Sequence, residues 1–312
     1  MRAIQVERFG GPEVMRMAEV GKPIPGRGEV LVRVAAAGVN PVDWKVRSGA
    51  SGEWFGRPPY IPGWDLAGVV EAAGPDVSAL AVGDEVFGMP RFPKLAGCYA
   101  EYVAAPADEV AARPAALSWA EAGGLPLAGL TALQVLDMAG VTSGQRVLVH
   151  AAAGGVGHLA VQLAKARGAW VTGTARADKH PFLRELGADE TIDYTAAPFE
   201  ETVKDVDVVV DPIGGDTSFR SLRVLRPGGT LVLIVGQASE ELTTAAKAAG
   251  IRFERHLVHP DGPGLVRLAA LASRGELRVL VERVLPLDQA ARAHELGERG
   301  RTQGKLVLSV AP

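Results

Sequence analysis

The chain has 312 residues, 47% of them hydrophobic and 22% charged, and a formal net charge of −3. This composition predicts a globular protein of two domains, and the slightly acidic balance gives no reason to expect nucleic acid or an anionic membrane as a partner. No apolar stretch is long enough for a membrane helix, and the first residues lack the apolar core of a signal peptide, so we expect a cytoplasmic protein. The single cysteine, Cys98, excludes an intrachain disulfide and is expected to be buried and unreactive.

The first 120 residues contain short runs rich in valine, alanine and aromatic residues, with glycine and proline between them. This pattern predicts a small, irregular β-barrel. The chain turns helical after Ser118, which is a suitable N-cap because Glu121 follows three residues later. The predicted strands of this part are residues 2–6, 29–36, 64–72, 85–89 and 99–104.

Residues 146–157, RVLVHAAAGGVG, combine a short apolar run with three glycines, and residues at helical spacing follow as far as Gly168. A second apolar run at 169–174 completes a βαβ unit typical of dinucleotide binding, because the glycine turn lets the backbone approach a pyrophosphate at the helix N-terminus. In the pattern G-x-G-x-x-G the first glycine would fall at Ala152, so a tight turn without a nucleotide is the alternative. The predicted cofactor-binding residues of this turn are Gly154, Gly155, Val156 and Gly157.

Apolar runs recur at 207–211 and 230–235, as a parallel sheet buried on both faces requires, and RPGG at 226–229 predicts a turn before the second run. An amphipathic helix, a strand and another helix follow, and the chain ends with the apolar run KLVLSV. That last strand has the composition of the first part of the chain, so we expect it to return there. The alternation of strands and helices predicts an α/β fold with a doubly wound parallel sheet.

Eight motifs span nearly the whole chain: AAGVNPVDWKVRSG, PYIPGWDLAGVV, VGDEVFG, GCYAEYVAAP, LPLAGLTAL, VLVHAAAGGVG, LGADETIDY and GKLVL. In this order they resemble the medium-chain dehydrogenase/reductase superfamily, and in particular its zinc-free, zeta-crystallin-like quinone oxidoreductase branch. The resemblance implies a GroES-like β-barrel domain of residues 1–121 and 285–312, which carries substrate residues. It implies a Rossmann domain of residues 122–284 for the cofactor, and a homodimer formed by edge strands of the two Rossmann sheets.

The zinc-dependent relatives differ from this chain at their ligand positions. Their catalytic cysteine stands three residues before an aspartate that Asp43 resembles, and Asn40 occupies that place here. At the place of their Gly-His-Glu ligand motif, this chain has Gly-Trp-Asp, which ends at Asp65. The third ligand position falls in or near residues 125–132, which include no Cys, His or Asp. The four-cysteine lobe that binds a structural zinc ion in those relatives is missing. Thiolates and imidazoles therefore cannot form a tetrahedral zinc site here, and we expect no metal.

Without zinc, hydride transfer suits acceptors whose developing anion needs only hydrogen-bond donors, which are quinones and alkenes conjugated with a carbonyl group. Asn40 is a candidate donor to a carbonyl oxygen or to the 2′-hydroxyl of the nicotinamide ribose, and the alternative is an Asx turn before Pro41. Trp44, Tyr60 and Trp64 are predicted to line a flat substrate pocket, with core packing as the alternative for each of them.

An NAD site usually has an acidic residue at the end of the second strand, whereas here Thr174 is followed by Arg176 and then Lys179. Both cations can bind a 2′-phosphate, which predicts NADPH rather than NADH; a solvated basic turn is the alternative, and Asp178 weakens the pattern. The resemblance adds four cofactor-binding positions, the last two of which have a turn glycine and a surface lysine as alternatives. They are Tyr194, Thr131, Gly236 and Lys305.

These observations predict a zinc-independent, NADPH-dependent oxidoreductase that transfers hydride to a small-molecule quinone or α,β-unsaturated carbonyl compound. Two alternatives stay open. The first is an enoyl reductase dedicated to one biosynthetic pathway, which would have a narrow substrate profile. The second is a non-enzymatic, structural or regulatory protein that binds NADPH tightly without turning over an acceptor.

Overall fold

The computed structural model describes residues 1–52 and 54–310. Its chain divides into two compact units, one formed by residues 1–130 and the residues from His259 onward, the other by Thr131–Val258. Within the described ranges, no helix is both long and apolar enough to cross a membrane.

The secondary structure alternates throughout the second unit and is dominated by strands in the first. The strands are β1 (Arg2–Val6), β2 (Met15–Glu19), β3 (Glu29–Val39), β4 (Leu66–Ala73), β5 (Glu85–Gly88), β6 (Tyr102–Pro106), β7 (Val110–Ala112), β8 (Arg146–Val149), β9 (Trp170–Ala175), β10 (Glu190–Asp193), β11 (Val206–Asp211), β12 (Leu225–Leu233), β13 (Arg252–Arg255), β14 (Val281–Pro286) and β15 (Lys305–Ser309). The helices are α1 (Pro41–Arg47), α2 (Trp119–Gly124), α3 (Pro126–Ala139), α4 (Gly157–Ala166), α5 (His180–Glu185), α6 (Phe199–Thr202), α7 (Asp216–Ser221), α8 (Glu240–Ala248), α9 (Gly262–Ser273) and α10 (Ala290–Glu298).

The first unit contains a mixed sheet with the strand order β14-β15-β3-β4-β5-β7, in which β6 also pairs with β3, and a separate hairpin of β1 and β2. The β-rich prediction for this part is confirmed. Ser118 caps α2 as predicted, because its Oγ accepts a hydrogen bond from the Glu121 N–H at 3.3 Å and its own N–H donates to the Glu121 carboxylate at 2.8 Å. Cys98 is fully buried, and burial raises the pKa of its thiol, as expected of an unreactive cysteine.

The last strand returns to the first unit, as predicted. β15 runs antiparallel to β3, with Leu306 opposite Val39. This register places Lys305 opposite Asn40, at the point where β3 ends and α1 begins. Two residues separated by most of the sequence are therefore neighbours.

The second unit is a parallel sheet with the strand order β10-β9-β8-β11-β12-β13 and helices between its strands. The order reverses between β8 and β11, which is the place where open α/β sheets bind their ligands, at the carboxyl ends of the strands. One face of the sheet buries an apolar cluster that includes Leu148, Val209 and Leu231 together with Leu242 of α8. The predicted α/β fold with a doubly wound parallel sheet is confirmed.

One local detail differs from the prediction. The RPGG segment is not a turn before a strand but part of β12, where the pairing between β11 and β12 shifts its register. The compact units divide after Leu130 and before His259, because α9 lies against β7 and the backbone of Gly262 approaches that of Asp108. The family domain boundaries at 122 and 285 stay a prediction.

Candidate active site

The glycine turn of the second unit connects β8 with α4. The helix begins at Gly157, and no side chain caps its N-terminus. The His158 N–H already donates to the Gly154 carbonyl at 3.0 Å, so an anion would bind the other N–H groups of the first turn. A Cβ on Gly157 would lie 2.3 Å from the carbonyl oxygen of Ala151, so only glycine fits there. Ala152 takes the place of the first glycine of the pattern because the adjacent strand has Gly173, where a Cβ would approach the Ala152 Cβ to 2.9 Å.

Hydrogen bonds of the His150 side chain connect this turn to β9 and α7. Ser221 donates its hydroxyl hydrogen to the Thr217 carbonyl at 2.7 Å, so the His150 Nε2–H donates to the Ser221 Oγ at 2.9 Å. The His150 Nδ1 then accepts from the Thr174 hydroxyl at 3.1 Å, and the Thr174 carbonyl accepts from the N–H of Ala152. Burial lowers the pKa of His150 to about 4, so the ring is neutral. Thr174, predicted to contact the cofactor, thus holds the turn in place.

The predicted phosphate-binding side chains lie together at one edge of the sheet. The last residues of β9 and β10 are register partners, and Arg176 and Tyr194 follow these two strands directly. Both are exposed, and Arg176 has no ion pair within the described part of the chain. The Lys179 ammonium lies 3.9 Å from the Asp178 carboxylate, so the two form a weak ion pair near the surface.

The remaining predicted positions of the second unit lie apart from this edge or follow another strand. Thr131 is buried in α3. Gly236 follows β12 in a left-handed conformation with φ of 64°, and its carbonyl accepts a hydrogen bond from the Arg255 Nε at 2.8 Å. Gly236 thus lies in a turn, and its contact with the cofactor stays a prediction.

A buried polar cluster, formed by Asn40, Asp65 and Lys305, lies in the first unit. The Lys305 ammonium donates to the Asn40 Oδ1 and, at 3.1 Å, to the Val39 carbonyl. The Asn40 Nδ2 donates to the Asp65 Oδ2 at 2.8 Å, and the other carboxylate oxygen of Asp65 accepts from the Leu127 N–H at 2.7 Å. All three cluster side chains are buried, so the alternative interpretation of Lys305 as a surface lysine is wrong.

The two charged groups of this cluster, Asp65 and Lys305, are buried, and their mutual attraction offsets part of the free energy that burial costs. Burial raises the pKa of Asp65 and lowers that of Lys305, because each charge loses water. Their attraction across 3.8 Å opposes both shifts, and the two hydrogen bonds donated to Asp65 favour its ionised form. Gly38 makes the arrangement possible, because a Cβ there would lie 2.6 Å from the Asp65 Oδ2.

A second hydrogen-bonded chain reaches Asn40 from α10. Arg47 can only donate, so the His294 Nδ1 accepts from it at 3.1 Å and the His294 Nε2–H faces the Tyr99 hydroxyl at 3.3 Å. Tyr99 donates to the Asp43 Oδ2 at 2.9 Å, and the same oxygen accepts from the backbone N–H of Asn40 at 2.6 Å. Burial lowers the pKa of His294 to about 3, so its ring is neutral. This series of hydrogen bonds fixes the start of α1.

Two buried polar atoms of the first unit lack a hydrogen-bond partner among the described residues, the Asp43 Oδ1 and the Tyr60 hydroxyl oxygen. Burial raises the pKa of Asp43 to about 7, and the nearby Asp65 charge adds to this shift. Because the Asp43 Oδ2 already accepts two hydrogen bonds, the proton of the neutral carboxyl belongs on Oδ1. Burial also raises the pKa of Tyr60, so its hydroxyl keeps its proton at all physiological pH values.

The two predicted tryptophans make core contacts. Trp64 is buried, its Nε1–H donates to the Lys94 carbonyl at 2.7 Å, and it packs edge to face against Phe55 and Phe92. Trp44 packs edge to face against the His294 ring. Core packing, the alternative for both, is thus observed, and their contact with a substrate stays a prediction.

The positions aligned with zinc ligands meet around the Lys305 ammonium, since Asn40 and Asp65 both contact it and Leu127, from the third segment, binds Asp65. Within the described ranges, no group of three or more His, Cys, Asp or Glu side chains is arranged to hold a metal ion. The sequence analysis missed the roles of Asp43, Tyr99, His150 and His294, whose partners are distant in the sequence. Only the position of Asp43 beside Asn40 offered a signal.

Comparisons with known proteins agree with this architecture. Residues 26–115 match the family described as "Alcohol dehydrogenase GroES-like domain", and residues 186–308 match "Zinc-binding dehydrogenase". A 2-methylene-furan-3-one reductase of Solanum lycopersicum is 35% identical, and the alignment covers 100% of this chain and 80% of the relative. The quinone oxidoreductase of Coxiella burnetii is 39% identical with a TM-score of 0.95, covering 100% and 99% of the chains. The Escherichia coli quinone oxidoreductase complexed with NADPH is 31% identical with a TM-score of 0.89, covering 99% and 100%.

The pKa of Asp43 predicts a pH-dependent stability that Asp43→Asn removes. The carboxyl has a pKa of about 7 when folded and about 3.9 when unfolded, so the folded state holds a proton that the unfolded state releases between these values. The contribution is therefore present at low pH and lost as pH rises to neutrality. The unfolding free energy of the natural protein relative to Asp43→Asn should fall by about 2–4 kcal/mol from about pH 4 to about pH 8.

Urea unfolding of both proteins across this pH range measures the difference. His294 is neutral throughout it, since its pKa lies at about 3, and the other groups are common to both proteins. A difference that stays constant with pH would contradict the assignment.

Proposed function

Because the chain belongs to the medium-chain dehydrogenase/reductase superfamily, we propose that it is a zinc-independent oxidoreductase that transfers hydride from NADPH to quinones or α,β-unsaturated carbonyl compounds. The observation that carries the proposal is the replacement of zinc ligands by Asn40, Trp64 and Asp65 in a chain that resembles quinone oxidoreductases over its whole length. Trp64 fills its position with a packed indole, Asn40 accepts a hydrogen bond from Lys305, and Asp65 forms an ion pair with Lys305. None of these groups forms the thiolate and imidazole set that zinc prefers.

The second unit fits the cofactor at its carboxyl edge. The uncapped N-terminus of α4 and the close backbone approach at Gly157 suit a pyrophosphate. Arg176 and Tyr194 suit the 2′-phosphate because the strand register brings them to the same edge. NADPH supplies the hydride when bound. The E. coli relative of similar fold was solved with NADPH, which supports the same choice here.

The first unit offers hydrogen-bond donors for the acceptor. Tyr60 has a buried hydroxyl without a partner among the described residues, and Asp65 takes only one of the two hydrogens on the Asn40 Nδ2. A donor already in place for the oxygen of an enone or quinone stabilises the negative charge that hydride transfer creates, at no cost of reorganisation. The relative that reduces a 2-methylene-furan-3-one, by its name, supports conjugated ketones as the acceptor class.

The proposed homodimer has an open edge available to it. β13 pairs only with β12 within the described part of the chain, so its outer hydrogen-bonding groups can pair with β13 of a second copy.

Purified protein with EDTA should oxidise NADPH when a quinone or an aliphatic 2-enone is added, and much less with an aldehyde. The measurement is the loss of NADPH absorbance with 1,4-benzoquinone, 9,10-phenanthrenequinone, the enone, the aldehyde and no acceptor. Turnover of a single conjugated acceptor would favour the dedicated enoyl reductase. Tight NADPH binding without turnover of any acceptor would refute the oxidoreductase proposal and favour a non-enzymatic role.

Arg176→Ala should raise the KM for NADPH about 10- to 100-fold, because a charge-assisted pair with the 2′-phosphate is lost. The KM for NADH should change little, since NADH has no phosphate there. Arg184→Ala is the matched control, because Arg184 is an exposed residue of α5 whose guanidinium donates a hydrogen bond to the Thr191 hydroxyl. An equal effect of Arg176→Ala on both nucleotides would contradict the phosphate assignment.

Tyr60→Phe should separate activity from stability. The hydroxyl has no partner to lose among the described residues, so the unfolding free energy should stay constant or rise by about 1 kcal/mol. kcat/KM for enone or quinone should fall about 10- to 100-fold, because a donor to the acceptor oxygen is removed. Tyr102→Phe, at a partly exposed position in β6, is the control. Unchanged turnover of Tyr60→Phe would remove Tyr60 from the site.

A further inference from the structure

Lys305 is a buried cation of the first unit. Its ammonium donates to the Val39 carbonyl and the Asn40 Oδ1, and the Asp65 carboxylate lies 3.8 Å away. The side chain is 3% exposed. Because an ammonium has only three hydrogens, two of which are used here, it has little capacity left to bind a ligand directly. Lys305 can therefore affect a ligand only through a residue that it contacts.

Asn40 is the residue that can transmit the effect of the Lys305 charge to a ligand. Lys305 can only donate, so the amide atom that faces it is the oxygen. Asp65 accepts, so the atom that faces it is the nitrogen. The orientation of the Asn40 amide is therefore set by charge from both sides, and a flipped amide would place like partners together at each end. One Nδ2–H stays available and points away from Asp65.

We propose that Lys305 and Asp65 are a positioning pair that fixes the Asn40 amide and strengthens its free Nδ2–H as a donor to the reacting ligand. This inference rests on the proposed function, in which Asn40 donates a hydrogen bond to the oxygen of the acceptor. A cation on the amide oxygen withdraws electrons from the amide nitrogen, so the remaining N–H becomes a better donor. The fixed orientation also means that the donor needs no rearrangement when the ligand's oxygen becomes negative.

The sequence offers an unusual means to test the pair, because Asn40 is the sole asparagine of the 312 residues. Protein labelled with [γ-15N]asparagine therefore gives one side-chain NH2 signal in an NMR spectrum. In the natural protein the two protons of this group should be well separated and exchange slowly with water, since one is bound to Asp65. In Lys305→Met they should move together and exchange about tenfold faster or more. Lys305→Arg keeps the charge and should restore most of the separation.

Kinetics then test the role of the pair in the reaction. Lys305→Met should lower kcat about 10- to 100-fold with a smaller change in KM for NADPH, because the donor is misplaced rather than the cofactor site. The double variant Lys305→Met/Asp65→Asn removes both charges and leaves no lone buried ion, so it should fold yet stay slow. Lys165→Met is the matched control, because Lys165 pairs with Asp189 in the second unit and its removal should leave both the signal and kcat unchanged.

The outcomes distinguish this inference from the proposed function. An Asn40 signal that Lys305→Met leaves unchanged overturns the positioning pair, whatever the activity. A moved signal with unchanged kcat shows that the pair orients Asn40 without effect on the reaction, which also overturns it. Absence of turnover in the natural protein on every acceptor instead refutes the proposed function. A shifted signal, a low kcat in both charge-removing variants and recovery in Lys305→Arg support the inference.

Discussion

A lysine ammonium can leave water only where its hydrogens are bound and its charge is balanced, and this condition organises the first unit around Lys305. Asp65 supplies the counter-charge, and Asn40 and Val39 supply the acceptors. The antiparallel register of β15 and β3 brings the lysine to the end of β3, and the missing side chain at Gly38 lets Asp65 approach. The final strand is thus tied to the start of α1 by charge as well as by backbone pairing.

The second unit obeys a different constraint, which is the backbone geometry of the strand–turn–helix at its switch point. Gly157 must be glycine because the turn carbonyl of Ala151 occupies the space of a side chain. His150 and Thr174 hold the turn through side-chain hydrogen bonds, and the first turn of α4 is left without a side-chain cap. The polar side chains therefore support the turn and do not cap the helix.

What the sequence predicted well is local. The strand, glycine turn and helix at 146–166 were predicted because their signals lie within one short stretch, and the same holds for the cap at Ser118. The RPGG segment was predicted as a turn, yet tertiary pairing draws it into β12. The burial of Lys305 was beyond such reasoning, since its partner Asn40 lies 265 residues away and lysine is usually exposed. The hydrogen bond from His294 to Tyr99 spans 195 residues and was equally hidden.

The polar groups of the first unit divide by whether their hydrogen bonds are complete. Lys305, Asp65 and Tyr99 have partners within the chain and hold other groups in place. Tyr60 and the Oδ1 of Asp43 have none within the described residues, and burying such an atom costs about 1–3 kcal/mol. In the proposed function, the acceptor would complete the hydrogen bonding of Tyr60, and the groups whose hydrogen bonds are already complete would position it. In the proposed function, neutral hydrogen-bond donors would stabilise the negative oxygen that hydride transfer creates on a quinone or an enone, whereas reduction of a simple aldehyde or ketone would lack the Lewis acid that zinc supplies.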